Sequence, residues 1–458
     1  MLPRDALAQS TTVSRSLQFS SLPVALQQWL ATRQLTATNF ESYLNQLRAQ
    51  TATRERDGEF EHLLYFALQS TRFTTQAKIE PALSAYEFVQ SLPPTVQAAY
   101  LKEDDFVPTP LTLPVSVTAR LQAFLQALKK SPLDERQAYF QQFLAQNVRR
   151  EEASLERLRR EYARVMKFLY RKEFLARKLS QPEQLSEYVA TLYQTRGHST
   201  DTQIEANFTV YEAMAALKAQ APNARLSNVL IVGPGLDFAP RTDLLDAFEP
   251  QCYQPFAVAD ALLSLGLTTL PPLRIHCVDI NQRVVAHLQR LPARREISLA
   301  LLSGIAEKPE RPFAENYQRY FQMLGQKIGS ESDLDVPAAW RAHLRKRLTV
   351  RVDVAHAITA ESLNIITDSL VPVARYDLVI VTNVFPYFND TELALALANI
   401  AAGLKPGGYL LHNDARRELL GFASLLQLPS VQARTVLLAG QGANALFDGV
   451  VIHQKKAL

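Results

Sequence analysis

Seven short runs of β-forming residues follow residue 227, and segments of helical length separate the earlier runs. Apolar strands that alternate with helices predict a parallel sheet covered on both faces. The runs are 228–233, 273–279, 348–354, 376–384, 408–414, 433–440 and 446–454. A hairpin-length loop joins the last two. We therefore expect an α/β fold with a Rossmann-like, seven-stranded, mostly parallel sheet that ends in an antiparallel hairpin.

The first half of the chain is predicted to be mainly α-helical, because it carries long mixed apolar and polar segments with almost no glycine. Three prolines between Pro108 and Pro114 indicate a break near residues 106–116. The predicted organisation has three parts. A flexible N-terminus covers 1–22, a helical domain covers 23–195, and the α/β domain covers 196–458 with an insertion at about 303–347.

Composition indicates a soluble globular protein, with 47% hydrophobic and 21% charged residues. Only two cysteines are present, which excludes a disulfide framework and a Cys-rich metal site and favours a reducing compartment. No run of 18 apolar residues occurs, so we expect a cytoplasmic protein without a membrane span. A longer exported precursor is the alternative, since Ala6-Leu7-Ala8 has the form of a signal cleavage site, although no apolar segment precedes it.

A net charge of +4 over 458 residues is weak support for a polyanionic partner. Residues 149–178 do hold eleven Lys or Arg against five Asp or Glu. A solvated helix face with i,i+4 ion pairs is the usual meaning of such a stretch, and a nucleic-acid surface is the alternative. The eight histidines are scattered without HxxxH or cysteine partners, so no metal site is predicted.

The first predicted strand ends in Gly233-Pro234-Gly235, and Asp237 follows in the same loop. This is either a tight turn or a backbone free of side chains against which a ligand can lie. Ligands of open parallel sheets bind at the carboxyl ends of the strands, where this loop lies. A dinucleotide cofactor is disfavoured, because Phe238 stands at the third glycine position and the next strand-end acid is about 40 residues away rather than about 20.

That acid, Asp279, closes the second predicted strand and is followed by Ile280. A carboxylate at this point can accept hydrogen bonds from the two hydroxyls of a ribose. Asp279 as the N-cap of the next helix is the alternative, and the two roles are compatible. Asp353 ends the third predicted strand, from which it can approach an adenine.

Four segments together resemble the class I S-adenosylmethionine-dependent methyltransferases: "VLIVGPG", "CVD", "YDLVIVTNVFPYF" and "LKPGGYLL". The resemblance covers about residues 200–458. It implies that S-adenosyl-L-methionine binds at the carboxyl ends of strands 1, 2 and 4, and that the terminal hairpin supplies strands six and seven. The donor-binding residues expected on this basis are Gly233, Pro234, Gly235, Asp237, Asp279, Ile280, Asp353, Asn383 and Val384.

A narrower resemblance is to the chemotaxis-receptor type of methyltransferase, in which Asn-Val, two residues and Tyr-Phe follow the fourth strand. Here Asn383 and Tyr387 occupy that pattern, but Thr382 stands where the family has arginine. Receptor glutamate methylation therefore does not carry over. We expect Asn383 and Tyr387 to border the methyl group as catalytic residues, with a cation–π contact from the tyrosine ring. The alternatives are that Asn383 caps the helix that starts near Thr391 and that Tyr387 is only packed.

The predicted function is methyl transfer to an unidentified small molecule or protein. Positioning does much of the catalysis, because the donor is already activated. A general base is needed only for a nucleophile of high pKa, and His198, His412 and Asp414 are the candidates. The competing class is a non-catalytic adenosyl-ligand or protein-interaction module, and a nucleotide-dependent oxidoreductase is a third.

Long insertions near strand ends often form lids, so 303–347 is expected to form a lid or a wall of the substrate site. Its basic cluster of Arg341, Arg345, Lys346 and Arg347 is either a solvated face or a site for an acidic substrate group.

Overall fold

The computed structural model describes residues 15–148, 152–179, 181–414 and 416–457. The α-helices are α1 (Val24–Thr32), α2 (Phe40–Gln69), α3 (Pro81–Ser91), α4 (Pro94–Lys102), α5 (Val115–Ala127), α6 (Glu135–Asn147), α7 (Glu152–Tyr170), α8 (Pro182–Thr195), α9 (Ile204–Gln220), α10 (Gln254–Ser264), α11 (Gln282–Arg290), α12 (Glu315–Met323), α13 (Val352–Ala355), α14 (Asp390–Gly403) and α15 (Arg417–Leu425). The strands are β1 (Arg15–Ser16), β2 (Asn228–Val232), β3 (Arg274–Asp279), β4 (Ile297–Ala306), β5 (Gly329–Ser332), β6 (His343–Val350), β7 (Ile358–Ser362), β8 (Asp368–Ser369), β9 (Tyr376–Val381), β10 (Leu404–His412), β11 (Ser430–Ala439) and β12 (Leu446–Gln454).

A seven-stranded sheet forms the centre of the C-terminal half, in the order β11-β12-β10-β9-β2-β3-β7. Strands β7, β3, β2, β9 and β10 are parallel to their neighbours, whereas β12 is antiparallel to both β10 and β11. Numbered along the chain, the parallel part has the order 3-2-1-4-5 of a doubly wound sheet. The structure thus confirms the α/β fold class and the antiparallel hairpin at the end of the sheet.

Alternate residues of the central strands belong to two different cores, as the two-residue period of a strand requires. Val229 and Ile231 of β2 pack into one core, and Leu230 and Val232 pack into the other. Both faces of the sheet are therefore buried, which explains why these strands are continuously apolar.

The helical region packs directly on this sheet. Helix α2 takes part in both cores, because Phe40 and Leu44 near its start lie in the second core while Phe60 and Leu64 lie in the first. A 30-residue helix is about 45 Å long, which is enough to pass from one face of the sheet to the other. Its middle segment must cross an edge of the sheet on the way.

The predicted flexible N-terminus lies in part outside the described residues, which start at Arg15. Within the described part, β1 pairs with β8 in an antiparallel two-stranded sheet. Leu17 and Leu22 then pack into the second core beside α1. No helix of the described residues is long and apolar enough to cross a membrane.

The prediction of the third strand is wrong. Residues 348–350 belong to β6 of a separate antiparallel sheet, and the third strand of the central sheet is β7. The run 348–354 misleads because β6 alternates buried and exposed residues, which produces a clear strand pattern. β7 is a polar strand at the edge of its sheet and mostly lacks buried residues, so its sequence carries little strand signal.

Residues 297–350, which include the predicted insertion, contribute a further sheet, and several of its buried residues join the first core. Strands β4, β6 and β5 form this three-stranded sheet, with α12 between β4 and β5. It packs on the helices that cover the first core. The Tyr317 hydroxyl donates to Glu205 at 2.8 Å, and Gln251 exchanges two hydrogen bonds with the backbone of Ala300.

Candidate ligand-binding and active site

A cavity of about 760 Å³ lies at the carboxyl ends of the central strands. The loops after β2, β3, β7 and β9 form its floor, and residues 198–202 form one side. The middle of α2, from Gln46 to Glu55, also lines it. This is the segment of α2 that passes from one core to the other, so the helix covers the strand ends.

Two glycines after β2 allow close approach of neighbouring chain segments. Gly233 and Gly235 have φ values of 67° and 77°, in the left-handed region that side chains disfavour. A Cβ atom at Gly235 would lie 2.7 Å from the carbonyl oxygen of Thr200, and one at Gly233 would lie 2.6 Å from Cγ2 of Val384. The loop is thus a tight turn that also leaves its backbone uncovered toward the cavity.

Asp279 ends β3 and lines the same cavity. The backbone N–H of Asn281 donates to Asp279 Oδ1 at 2.8 Å, and the side chain of Asn281 is the N-cap of α11. The alternative that Asp279 caps this helix is therefore wrong. Burial raises the pKa of Asp279 to about 6, against the opposing effects of backbone N–H groups and of Arg283.

Polar residues at helical spacing connect α2 to the loops beneath it. Asn364, in the loop after β7, donates to Thr51 Oγ1 at 3.3 Å. Glu59 Oε1 accepts hydrogen bonds from Asn281 and Arg283, each at 2.7 Å. These bonds fix the position of α2 over two of the strand-end loops.

Gly58 allows a further close contact on the same helix. A Cβ atom there would overlap the backbone of His198, and one at Gly197 would overlap the backbone of Gly58. The N–H of His198 donates to the carbonyl oxygen of Arg54 at 2.9 Å. The segment after α8 is thereby held against α2, which places the His198 side chain at the cavity.

Tyr387 and His198 meet at this side of the cavity. Their ring centroids are 5.3 Å apart with the rings nearly perpendicular, and the N–H of Ser199 donates to the Tyr387 hydroxyl at 3.4 Å. Burial, Arg54 and Arg196 hold the pKa of His198 well below its usual range, so its imidazole is neutral. Its Nδ1 atom is buried and has no hydrogen-bond partner among the described residues.

Asn383 also lines the cavity, but it is exposed rather than buried. Its φ of 59° turns the chain after β9, and its Oδ1 accepts a hydrogen bond from Asn413 at 2.8 Å. Helix α14 is capped by Asn389, so the alternative that Asn383 caps this helix is wrong.

Among the predicted donor-binding residues, six line the cavity: Gly233, Gly235, Asp279, Ile280, Asn383 and Val384. Pro234 and Asp237 lie outside the lining, and the buried carboxylate of Asp237 accepts from the N–H of Thr202 at 3.0 Å. Asp353 lies on α13 with its side chain 60% exposed, where it pairs with Arg351. It is remote from the strand ends because the true third strand begins after it.

The other two candidate bases are structural residues. His412 is fully buried, and its Nε2 atom lies 2.9 Å from that of His453. Burial lowers the pKa of His412 to about 3. Asp414 pairs with Arg416 at 2.9 Å. Neither residue lines the cavity.

Sequence reasoning missed the contribution of α2 and expected the insertion to form the wall instead. No described residue of 297–350 lines the cavity, so the basic cluster of Arg341, Arg345, Lys346 and Arg347 lies outside it. Two signals in α2 were available. Gly58 is the sole glycine between residues 23 and 195, and Glu59, Glu61 and His62 interrupt an otherwise apolar helical run.

The sheet order and the cavity together decide the fold assignment. The chain has the fold of class I S-adenosylmethionine-dependent methyltransferases. No protein-family model matches the chain, and no curated protein matches it. The described residues contain no group of three or more His, Cys, Asp or Glu side chains that could hold a metal ion.

Several solved structures are similar to parts of this chain. N-methyltransferase NodS from Bradyrhizobium japonicum WM9, in complex with S-adenosylhomocysteine, is 15% identical, with 54% of this chain and 87% of that chain covered and a TM-score of 0.26. Magnesium protoporphyrin IX methyltransferase from Synechocystis PCC 6803, with bound S-adenosylmethionine, is 9% identical. The match covers 71% of this chain and 100% of that chain, with a TM-score of 0.27. CurJ carbon methyltransferase is 13% identical, with 92% of this chain and 98% of that chain covered and a TM-score of 0.28.

Proposed function

We propose that the protein transfers a methyl group from S-adenosylmethionine to an acceptor bound in the strand-end cavity. One observation carries the proposal: a glycine loop, a strand-end carboxyl group and an aromatic residue line a single cavity. Gly233 and Gly235 leave backbone uncovered, Asp279 offers a carboxylate to ribose hydroxyls, and Tyr387 lies beyond β9. The NodS and Synechocystis structures contain the same class of ligand.

The residues fit this ligand in shape and in charge. The cavity volume of about 760 Å³ is within the range of small-molecule sites, which is roughly 300–1,000 Å³. Among the described lining residues, Glu55, Asp201, Asp279 and Glu392 are acidic, whereas Arg54 is the single arginine or lysine. The guanidinium of Arg54 is occupied, because it donates to the carbonyl oxygens of Tyr193, Arg196 and Tyr387. We therefore propose a neutral or cationic acceptor rather than an acidic one.

When bound, S-adenosylmethionine supplies an activated methyl group. The protein then has to align the acceptor, exclude water and remove any proton that the nucleophile carries. In the proposal Asn383 and Tyr387 border the reacting groups. His198 is the preferred proton acceptor, since its imidazole is neutral and it lies beside Tyr387.

Calorimetry with S-adenosylhomocysteine and NAD tests the ligand. We expect saturable binding of S-adenosylhomocysteine and none of NAD. Asp279→Asn should weaken that binding roughly tenfold or more by removing a charge-assisted hydrogen bond, with little change in melting temperature. NAD binding without affinity for S-adenosylhomocysteine would refute the assignment.

Methyl transfer is tested with isotopically labelled donor and fractionated small-molecule and protein extracts. Asn383→Ala and Tyr387→Phe should reduce transfer much more than donor affinity, because both residues border the proposed reacting groups. His198→Ala should reduce transfer at neutral pH for an acceptor that must lose a proton, because the wild-type imidazole is already neutral there. Tight donor binding with no transfer to any fraction would favour a non-catalytic adenosyl-ligand module.

A further inference from the structure

Helix α2 carries three polar residues on one face at intervals of four: Thr51, Glu55 and Glu59. The outer two are anchored to loops at the carboxyl ends of two neighbouring strands. Thr51 binds Asn364 in the loop after β7, and Glu59 binds Asn281 in the loop after β3. The residue midway between these anchors is thereby held over the cavity.

That residue, Glu55, is half-buried and lines the cavity. Its carboxyl group forms no hydrogen bond or ion pair with any other described residue. The adjacent Arg54 differs, because three backbone carbonyl oxygens hold its guanidinium. A carboxyl group held in place in a ligand-sized cavity without a partner is available to a bound molecule.

The surroundings of Glu55 favour a ligand that donates hydrogen bonds. Burial raises the pKa of Glu55 to about 7, with further contributions from the negative charges of Glu59 on the same helix and Asp279 after β3. Arg283 on α11 opposes these effects but is already paired with Glu59. Hydroxyl donors between the two carboxyl groups would stabilise their ionised forms.

We propose that Glu55 and Asp279 together bind the vicinal hydroxyls of a ribose, which is that of the methyl donor. A vicinal diol offers two O–H donors side by side, and two carboxylates that line the same cavity can accept one each. Asp279 belongs to the sheet and Glu55 to the helical region, so the ligand contacts both parts of the chain. The inference rests on the proposed function for the identity of the ligand.

The test compares the wild-type protein with Glu55→Gln and the control variant Glu41→Gln in binding of S-adenosylhomocysteine. Gln keeps the shape and helix propensity of Glu but removes the charge. Glu41 is a glutamate of the same helix that is exposed and lies outside the cavity. We expect roughly tenfold weaker binding for Glu55→Gln and no change for Glu41→Gln.

The pH dependence of affinity supplies a second readout. Wild-type affinity should increase between pH 5.5 and about 7.5, because binding through the ionised carboxylates displaces their protons. In Glu55→Gln the increase should end near pH 6.5, since only Asp279, with its pKa of about 6, still contributes. The other acidic and basic lining residues, Asp201, Glu392, His198 and Arg54, are retained in all variants.

The 2′-deoxy and 3′-deoxy analogues of S-adenosylhomocysteine test the diol directly. Each analogue should bind the wild type several-fold more weakly than S-adenosylhomocysteine does. For one of the two analogues, this loss of affinity should be smaller in Glu55→Gln than in the wild type. These analogues keep the proposal testable on the wild type even if the variant does not fold. Unchanged affinity for either deoxy analogue, or for Glu55→Gln, would overturn it while leaving the donor assignment intact. Absence of S-adenosylhomocysteine binding by the wild type would overturn both.

Discussion

Two large additions accompany the central sheet, and they have opposite relations to the cavity. The helical region before residue 196 places the middle of α2 over the strand ends, whereas described residues of the insertion 297–350 do not line the cavity. The insertion begins after α11, the helix that returns the chain from the carboxyl edge of the sheet toward the amino edge. An addition contributes to the site only if it reaches the carboxyl edge, and sequence position alone does not reveal this.

The largest expected effect tests the dependence of the sheet on the helical region. Residues 196–458 expressed alone should lack a cooperative unfolding transition, because α1 and α2 cover apolar residues of both cores. Thermal unfolding followed by near-ultraviolet circular dichroism, with the full chain as reference, measures this. A sharp transition for the fragment would show that the two regions are independent modules.

A second test concerns the closest contact between the two regions. Gly58→Ala should destabilise the protein by about 3 kcal/mol, because the added methyl group overlaps the backbone of His198. Gly421→Ala is the matched control, since Gly421 lies in α15 and a Cβ atom there meets nothing within 4 Å. It should be neutral or stabilising by up to about 1 kcal/mol. Denaturant midpoints compare the two, and equal midpoints would contradict the described contact.

A smaller effect is expected in the pH dependence of the ligand-free protein. Folded Glu55 retains its proton up to about pH 7, whereas in the unfolded chain it loses the proton near the ordinary value of 4.5. Stability should therefore fall as pH rises between these values. Glu55→Gln removes this contribution, so its melting temperature should exceed that of the wild type by about 1–2 °C at pH 8. At pH 4 the two melting temperatures should coincide. A lower melting temperature for Glu55→Gln than for the wild type at pH 8 would contradict the raised pKa of Glu55.

The smallest effect is expected in the insertion. Arg345 and Arg347 are exposed on β6 and lie outside the cavity. Changing both to Ala should alter neither donor affinity nor methyl transfer, and stability should change by less than about 0.5 kcal/mol per site. A clear loss of transfer would show that this surface contacts the acceptor, which would weaken the contrast between the two additions.

The parts of the fold that were predictable are those with strong local patterns. β2 and β9 contain uninterrupted apolar runs at 229–232 and 378–381 because both faces of the sheet are buried, so their sequences identify them without neighbours. The edge strand β7 escaped prediction because few of its residues are buried. β6 was assigned to the wrong sheet, since alternation reveals a strand but not its partner.

The residues of the candidate site also fall into two groups, those that the sequence pattern predicts and those that it does not. Gly235, Asp279 and Asn383 follow strands directly, so their meeting at one edge follows from parallel topology. Glu55 of α2 and His198 of the segment after α8 come from far away in the sequence. No local pattern specifies which distant part of the chain a helix will contact. Their place in the cavity depends on the contact of Gly58 with the segment 197–198 and on the anchor from Glu59 to Asn281.

The sequence by itself thus determined a doubly wound sheet and predicted a ligand site at its carboxyl edge, because strand periodicity and glycine turns act over a few residues. Only the tertiary structure decided that α2 closes this site and that the insertion does not. Helix docking depends on the complementarity of surfaces that are distant along the chain, and pairing of this kind leaves no signature in the spacing of residues.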